Sequence, residues 1–443
     1  MAAKDYILAD THRVMRALRA FADRNLFLWK ERIDGLLIYA SLALAFVSVG
    51  LAALRGEFLD AVMQGPGLAL VLVTLFLAAR GAIIHSGRAR YDLHIDRRQT
   101  ARLRDRVTLR KGEEITETAD QALLYDRAAC LALDETCNLL KVKDEAYNLP
   151  EPVRTWQSKL LRRVPGLDHA TFNGAKVRAL TDLSETVLRN GVPVHVQQTC
   201  YFNDRLTNNI ADWRVSLEGR EVVPLSDWCL TPESHLVTLE HSLMSDQLGG
   251  GSFLITADRQ IVYMCQGAGA AENPHRIAPA GSGSFDFADV SKVLKSGGSF
   301  QDLVRAGIFR ELAEETGLAA EMHSCLVVLL GIGRSLYRGG KPEAFALVFT
   351  QDTFNDLRVK PGEWDFMRRQ ILKFPLNTAP REPLTSALLL EALDGLRAVP
   401  EQTGMVASGP FVFNIDLARM WLEARASAFD ARLAEYFSVG SGE

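Results

Sequence analysis

The stretch 299–318 carries the densest group of residues in this chain that could do chemistry. Its second half reads Arg-Glu-Leu-Ala-Glu-Glu-Thr-Gly-Leu. If the stretch is a helix, Glu314 and Glu315 lie within one turn of Glu311, at roughly 60° and 40° from its direction. Three carboxylates on one helix face repel one another. The spacing therefore predicts a compensating cation, either Arg310 or a bound divalent metal ion.

The rest of the same stretch is typical of a helix that packs on a core. Apolar residues recur at four-residue steps and form a stripe on the face opposite the acids, at Phe300, Val304, Ile308 and Leu312. Ser299 and Asp302 are spaced as a helix-capping pair, and Gly317 stands where a helix C-cap is expected. Acidic runs are more often a plain solvated face, but the order of residues here is more particular.

Residues 310–318 resemble the conserved half of the Nudix box, which reads Arg-Glu-aliphatic-any-Glu-Glu-any-Gly-aliphatic, and they fit each specified position. The full box also has an upstream glutamate and an upstream glycine, whose positions here hold Asp302 and Ser296. Asp302 is explained as well by capping as by metal binding. Glycines occur further upstream, in 279–283, so we expect an insertion over 285–298 between the glycine-rich turn and the helix.

The resemblance implies a fold, a cofactor and a reaction. The family has an α/β/α sandwich, its box glutamates hold Mg²⁺ or Mn²⁺, and a metal-activated water cleaves a nucleoside diphosphate linked to another group. Carried over by position, Glu311, Glu314 and Glu315 are the metal ligands and Arg310 is the catalytic partner that orients them. Carboxylate oxygens are the hard ligands that both metals prefer.

Several charged residues outside the box are also candidates for the site. A further base is often supplied from elsewhere in such enzymes, and Glu343 and Glu363 are both candidates that the sequence does not separate. Basic residues near a glycine turn could meet phosphate, although such residues are commonly just solvated. These are Arg334, Arg338 and Lys341.

The order of elements around the box indicates an α/β arrangement. Residues 251–262 predict two strands joined by a turn, continuous apolar runs at 325–332 and 345–349 predict buried strands, and 383–396 has a helical pattern. Earlier in the chain, 113–143 has a helical pattern. A proline-bearing stretch at 148–152 then marks a linker or domain edge, and 194–202 alternates as a strand, in which His195 is expected to be structural.

The first ninety residues contain two apolar segments. Residues 35–54 carry no charge over twenty positions, enough to cross a bilayer core of roughly 30 Å, and predict a transmembrane helix. Residues 67–84 predict a second span, although Arg80 interrupts it and a buried core helix is the alternative. Lysine and arginine are abundant before the first segment and after the second. The positive-inside rule therefore predicts a two-pass protein of the inner membrane with both ends cytoplasmic.

Length and composition give the remaining expectations. A chain of 443 residues can hold several domains, and we predict five regions. They are the N-terminal arm with the membrane hairpin (1–87), a basic and helical juxtamembrane region (88–150), a mixed α/β accessory region (151–240), a Nudix-like domain (241–400) and a helical extension (401–443). Six scattered cysteines are expected to be reduced thiols. The net charge of −4 gives no sign of a nucleic-acid polymer as partner.

Two apolar spans followed by a late Nudix box resemble the bacterial group described as the SMODS-associated Nudix domain. This resemblance implies a membrane protein in an antiphage system that uses cyclic oligonucleotides. Two functions follow: a membrane-anchored Nudix hydrolase, or a nucleotide-sensing membrane effector with weak or no catalysis. The expected partners are a nucleotide or nucleoside diphosphate derivative and the lipid bilayer. The membrane helices would also allow a homo-oligomer.

Overall fold

The computed structural model describes residues 94–96, 103–161, 173–217, 220–267, 275–357, 370–376, 378 and 382–439. Fifteen strands lie in this part of the chain. They are β1 His94–Asp96, β2 Glu113–Glu117, β3 Ala122–Asp126, β4 Leu140–Lys143, β5 Ala175–Ala179, β6 Val194–Cys200, β7 Arg214–Leu217, β8 Arg220–Val223, β9 Gly249–Ile255, β10 Gln260–Cys265, β11 Arg276–Ser284, β12 Leu326–Ser335, β13 Lys341–Phe349, β14 Gln370–Pro375 and β15 Val406–Ala407.

Nine α-helices lie in the same described ranges. They are α1 Leu103–Arg106, α2 Arg127–Leu133, α3 Glu151–Leu161, α4 Glu185–Arg189, α5 Tyr201–Arg205, α6 Phe287–Lys295, α7 Phe300–Thr316, α8 Ser386–Thr403 and α9 Gly409–Val439.

A nine-stranded mixed sheet organises the described chain. Its strands run in the order β14-β10-β11-β9-β13-β12-β3-β2, and the short β15 pairs in parallel with β11. The central β13 pairs in parallel with β9 and antiparallel with β12. Two three-stranded sheets accompany it, in the orders β1-β7-β8 and β4-β6-β5. The glycines that open β9 and the serine that closes β11 therefore lie side by side at one end of the large sheet.

Helices cover both faces of this sheet. On β13, Phe345, Leu347 and Phe349 point to the face packed by α8 and α9, whereas Ala344 and Ala346 point to the face packed by α6 and α7. Successive side chains of a strand point to opposite sides, so a continuous apolar run is needed where both sides are buried. This explains why the apolar run over 345–349 gives a strand, as predicted.

Several predicted elements are confirmed with shifted ends. The strand expected over 194–202 is β6, the pair expected over 251–262 is β9 and β10, and the runs near 325 and 345 are β12 and β13. The helix expected over 383–396 is α8, which continues to Thr403. The domain boundaries stay predictions, but β2 and β3 join the large sheet and α9 shares a core with it.

The helical prediction for 113–143 is wrong. This segment forms the hairpin β2–β3, the short helix α2 and strand β4. Strand β3 pairs with the end of β12, which buries Leu123 and Leu124 on opposite faces of the sheet. Strand pairing therefore decides the structure around Leu123, where tertiary contacts override the local pattern, while Leu131 and Leu133 do lie on a helix, the short α2.

The predicted fold class, a Nudix-like α/β/α sandwich preceded by a transmembrane hairpin, is also corrected. The described chain is mixed α/β, and none of its described helices is both long and apolar enough to cross a bilayer. The longest, α9, carries charged side chains such as Arg419 and Glu423 along its length. The segments predicted as spans, 35–54 and 67–84, lie outside the described residues.

Candidate active site

Helix α7 is fixed at both ends by its own sequence. The Ser299 hydroxyl accepts a hydrogen bond from the backbone N–H of Asp302, while the Asp302 carboxylate accepts from the Ser299 backbone N–H at 2.8 Å. Gly317 ends the helix with a left-handed φ of 67°. The capping interpretation of Asp302 is confirmed. It lies nine positions before Glu311, so ~13 Å separates it from Glu311 along the helix axis, and Glu314 and Glu315 are further away.

The predicted apolar stripe of α7 is buried on the sheet, as expected. Phe285, the first residue of the predicted insertion, fills the space between α7 and β9. A Cβ on Gly307 would lie 2.5 Å from its ring, and a Cβ on Gly250 would lie 2.8 Å from it. Glycines at both positions allow the aromatic ring to sit there. The insertion then forms α6, which packs beside α7.

The glycine-rich end of β11 lies directly against the acidic face of α7. A Cβ on Gly283 would lie 2.1 Å from Glu311 Oε2, and a Cβ on Gly281 would lie 2.8 Å from the Cα of Leu312. Gly281 also has a left-handed φ of 73°, which few other residues adopt without strain. The glycine-rich turn, which the predicted insertion over 285–298 separates from the helix in sequence, is therefore adjacent to the acidic helix in space.

Arg310 stands at the centre of a carboxylate cluster. Its Nε donates to Asp289 at 2.8 Å, its Nη2 donates to Glu311 at 2.9 Å, and its Nη1 lies 3.3 Å from Glu314 and 3.5 Å from Asp286. Burial lowers the pKa of Arg310, but the surrounding carboxylates outweigh burial and hold the pKa above its ordinary value. The arginine is thus permanently charged and bonded to the helix and to the insertion.

The pKa of Glu311 is strongly perturbed by its surroundings. Its side chain is 13% exposed. Burial raises the pKa of Glu311 to about 7, Arg310 and Lys176 act in the opposite direction, and Glu315 and Glu314 add to the increase. A buried carboxylate beside two others is costly to ionise. An additional cation at this position would offset the electrostatic penalty of ionising Glu311.

The other two glutamates have different surroundings. Glu315 is 3% exposed, and its Oε2 accepts hydrogen bonds from the backbone N–H groups of Gly281 at 2.7 Å and Ser282 at 3.0 Å. Glu314 is half-exposed and faces Arg310. Two of the predicted metal ligands, Glu311 and Glu314, therefore flank one guanidinium, while Glu315 attaches the helix to β11.

The cluster fits a divalent cation by chemistry and charge. Its donors are hard carboxylate oxygens. The cluster around Arg310 contains five carboxylates and three cationic side chains, so its formal charge is −2 when all are ionised. The carboxylates are Asp286, Asp289, Glu311, Glu314 and Glu315, and the cations are Arg310, Lys176 and Lys292. Within the described ranges, however, no three His, Cys, Asp or Glu side chains converge as a ready metal-binding group.

The residues predicted outside the box fall in different places. Glu343 is buried between Arg338 at 3.6 Å and Lys341 at 3.9 Å, and Lys341 Nζ lies 3.3 Å from Ser284 Oγ. Arg334 pairs with Asp182 instead, away from the cluster. Glu363 lies outside the described residues. Of these candidates, Glu343 and Lys341 lie nearest to the acidic helix, at the end of β11.

Sequence reasoning missed four charged residues of this site. Asp286, Asp289 and Lys292 belong to the predicted insertion; the two aspartates pair with Arg310, and Lys292 lies 3.6 Å from Asp289. Lys176 comes from β5, outside the predicted Nudix-like domain, and reaches both Ser284 and Asp286. The position of Asp286 just before α6 was a usable capping signal. No local pattern around Lys176 pointed to the site.

A separate cavity of about 270 Å³ lies near the start of α7. Its apolar lining includes Leu183, Leu248 and Phe300, and its charged lining includes Arg110 and the paired Asp182 and Arg334. None of the four predicted site residues lines it. This cavity is therefore distinct from the carboxylate cluster.

No known family model matches the chain, and no curated protein is significantly similar to it. The resemblance to the Nudix box therefore still depends on residues 310–318. The roles predicted for Arg310, Glu311, Glu314 and Glu315 stay predictions, now with a defined geometry.

Proposed function

We propose that this protein is a Nudix-type hydrolase that uses Mg²⁺ or Mn²⁺ to cleave a nucleoside diphosphate linked to another group. The observation that carries the proposal is the docking of the acidic helix onto a glycine-rich strand end. There Glu311 lies against Gly283, Glu315 is bonded to two backbone amides, and Arg310 joins Glu311 to Glu314. In the proposed reaction a water oxygen forms a bond to one phosphorus while the bridging P–O bond breaks. The bridging oxygen leaves with the other phosphate product, and the water proton is released to solvent.

Each residue has a role in the proposal. Glu311 and Glu314 hold the metal, which supplies charge stabilisation and a nucleophilic hydroxide when bound. Arg310 aligns these two carboxylates through its planar fork. Glu315 fixes the helix to β11 through the backbone amides of Gly281 and Ser282. Glu343 remains a candidate for a further base.

The test is turnover by the purified protein. A set of nucleoside diphosphate derivatives is incubated with Mg²⁺ or Mn²⁺, and the release of phosphomonoester products is measured. We expect Glu311→Gln and Glu314→Gln to reduce turnover of the best compound roughly a hundredfold or more, because each removes a charge that holds the metal. Glu321→Gln is the matched control, since Glu321 is an exposed acid just beyond the same helix. Activity that survives both box substitutions would refute the proposal.

One observation favours the second candidate, a nucleotide sensor with little or no turnover. The described carboxylates are engaged by Arg310 and by backbone amides and do not converge on a common point. A sensor predicts that a nucleotide raises the melting temperature, as mass action requires for a ligand of the folded state, while no product forms. Product formation that depends on Glu311 would exclude this second candidate.

A further inference from the structure

Lys176 lies beside the carboxylate cluster although it belongs to a different part of the chain. It is the second residue of β5, in the three-stranded sheet of the predicted accessory region. Backbone hydrogen bonds hold this strand to the site. Val177 N–H donates to Phe285 O at 3.0 Å, and Leu248 N–H donates to Val177 O at 2.8 Å. The position of Lys176 is therefore fixed by main-chain contacts on both sides.

The ammonium group of Lys176 is held at the glycine-rich end of β11. Its Nζ donates to Ser284 O at 2.9 Å and to Asp286 Oδ1 at 2.6 Å, and the side chain is 16% exposed. A lysine ammonium has three donors, and described residues use two of them here. The third is available to a group that enters the site.

We propose that Lys176 binds a phosphate group of the substrate, an inference that rests on the proposed hydrolase site. Both residues that it bonds, Ser284 and Asp286, are partly exposed, and Lys176 acts electrostatically on Glu311, so an incoming ligand meets the ammonium near that carboxylate. Lys341 Nζ also lies 3.3 Å from Ser284 Oγ, but Glu343 at 3.9 Å offsets its charge, so Lys176 is the cation offered to the ligand here. Phosphate oxygens are the anionic acceptors that such ammonium groups bind in proteins.

The acidic neighbours set a condition on this binding. Asp286 and Glu311 would repel a bare anion, since both carboxylates are close to Lys176. The ligand is therefore expected to bind as a complex with Mg²⁺. The metal offsets the carboxylates, and Lys176 contacts a phosphate oxygen.

The accessory region thus completes the site. The predicted Nudix-like domain, 241–400, would lack this cation if it were separated from β5. In the full chain, Lys176 would favour substrates that carry an anionic phosphate next to the bond that is broken. This role is one of binding and specificity, and it does not require Lys176 to transfer a proton.

The test is calorimetric titration of the full chain with inorganic pyrophosphate in the presence of Mg²⁺. Lys176→Met removes the charge and keeps much of the side-chain length, so we expect roughly a tenfold or greater loss of affinity. Lys176→Arg retains the cation and should stay within roughly threefold of the wild type. Lys143→Met is the control, because Lys143 is an exposed lysine of β4 in the same small sheet.

The outcomes separate this inference from the proposed hydrolysis. The inference is supported if Lys176→Met binds pyrophosphate more weakly than the wild type while Lys176→Arg and Lys143→Met do not. This holds even if no nucleotide is hydrolysed. Equal binding by wild type and Lys176→Met, or no binding by the wild type, overturns it even if hydrolysis is found. If Lys176→Met melts at a lower temperature than the wild type, the pyrophosphate affinities of Lys176→Gln and Lys176→Arg are compared instead, at a temperature where both variants are folded. Equal binding by these two variants would also overturn the inference.

Discussion

Replacing Glu311 with glutamine should change the pH dependence of stability in the metal-free protein. Burial raises the pKa of Glu311 from an ordinary 4.5 to about 7. Below pH 4.5 the carboxyl is protonated in both the folded and the unfolded chain. As the pH rises from 4.5 to 7, the unfolded chain loses this proton first. The folded state is therefore progressively destabilised, and the penalty is constant above pH 7.

The size of the effect follows from the shift in pKa. Each unit of difference between folded and unfolded states is worth 1.36 kcal/mol, so the full penalty is about 3 kcal/mol above pH 7. At pH 5 only a small part of this penalty is present, because the carboxyl is still partly protonated in the unfolded chain. Glutamine has nearly the same shape and cannot ionise. The stability of Glu311→Gln relative to the wild type should therefore increase by about 2–3 kcal/mol between pH 5 and pH 8.

Urea unfolding in EDTA at both pH values measures this difference. Titrating groups far from the site contribute to both proteins alike, so the comparison isolates Glu311 and the charged groups in contact with it. Adding Mg²⁺ at pH 8 should then stabilise the wild type more than Glu311→Gln, because the metal neutralises the buried charge. A relative stability that is the same at pH 5 and pH 8 would refute the electrostatic account of this site.

Three further predictions test the packing around the acidic helix. Arg310→Met should cost about 3 kcal/mol in urea unfolding, because it leaves its carboxylate partners without their shared cation, and Arg310→Lys should recover part of that loss. Gly283→Ala should lower the melting temperature and the proposed turnover because its Cβ overlaps Glu311, whereas Gly251→Ala, with its nearest neighbour at 3.5 Å, should be tolerated. Ser299→Ala should cost about 1 kcal/mol through the lost helix cap; an unchanged unfolding midpoint would contradict this capping role.

Local features of the acidic helix were predictable because short-range rules govern them. The capping pair at Ser299 and Asp302, the left-handed Gly317 and the buried stripe all follow from neighbours within a few residues. The strands β9, β10, β12 and β13 were also predictable, since each is a short apolar run bounded by turn residues. The same reasoning failed for 113–143, where pairing with β12 decided the structure.

The sequence by itself determined which residues could do chemistry here, namely Arg310 and the three glutamates, because their spacing on one helix is fixed by helix geometry. Only the tertiary structure decided how each is used. Burial against Gly283 raises the pKa of Glu311, and two backbone amides donate hydrogen bonds to Glu315. The predicted insertion places Asp286 at the site, and β5 places Lys176 there. Solvent exclusion and contacts between distant segments depend on packing of the whole chain, and no local pattern encodes them.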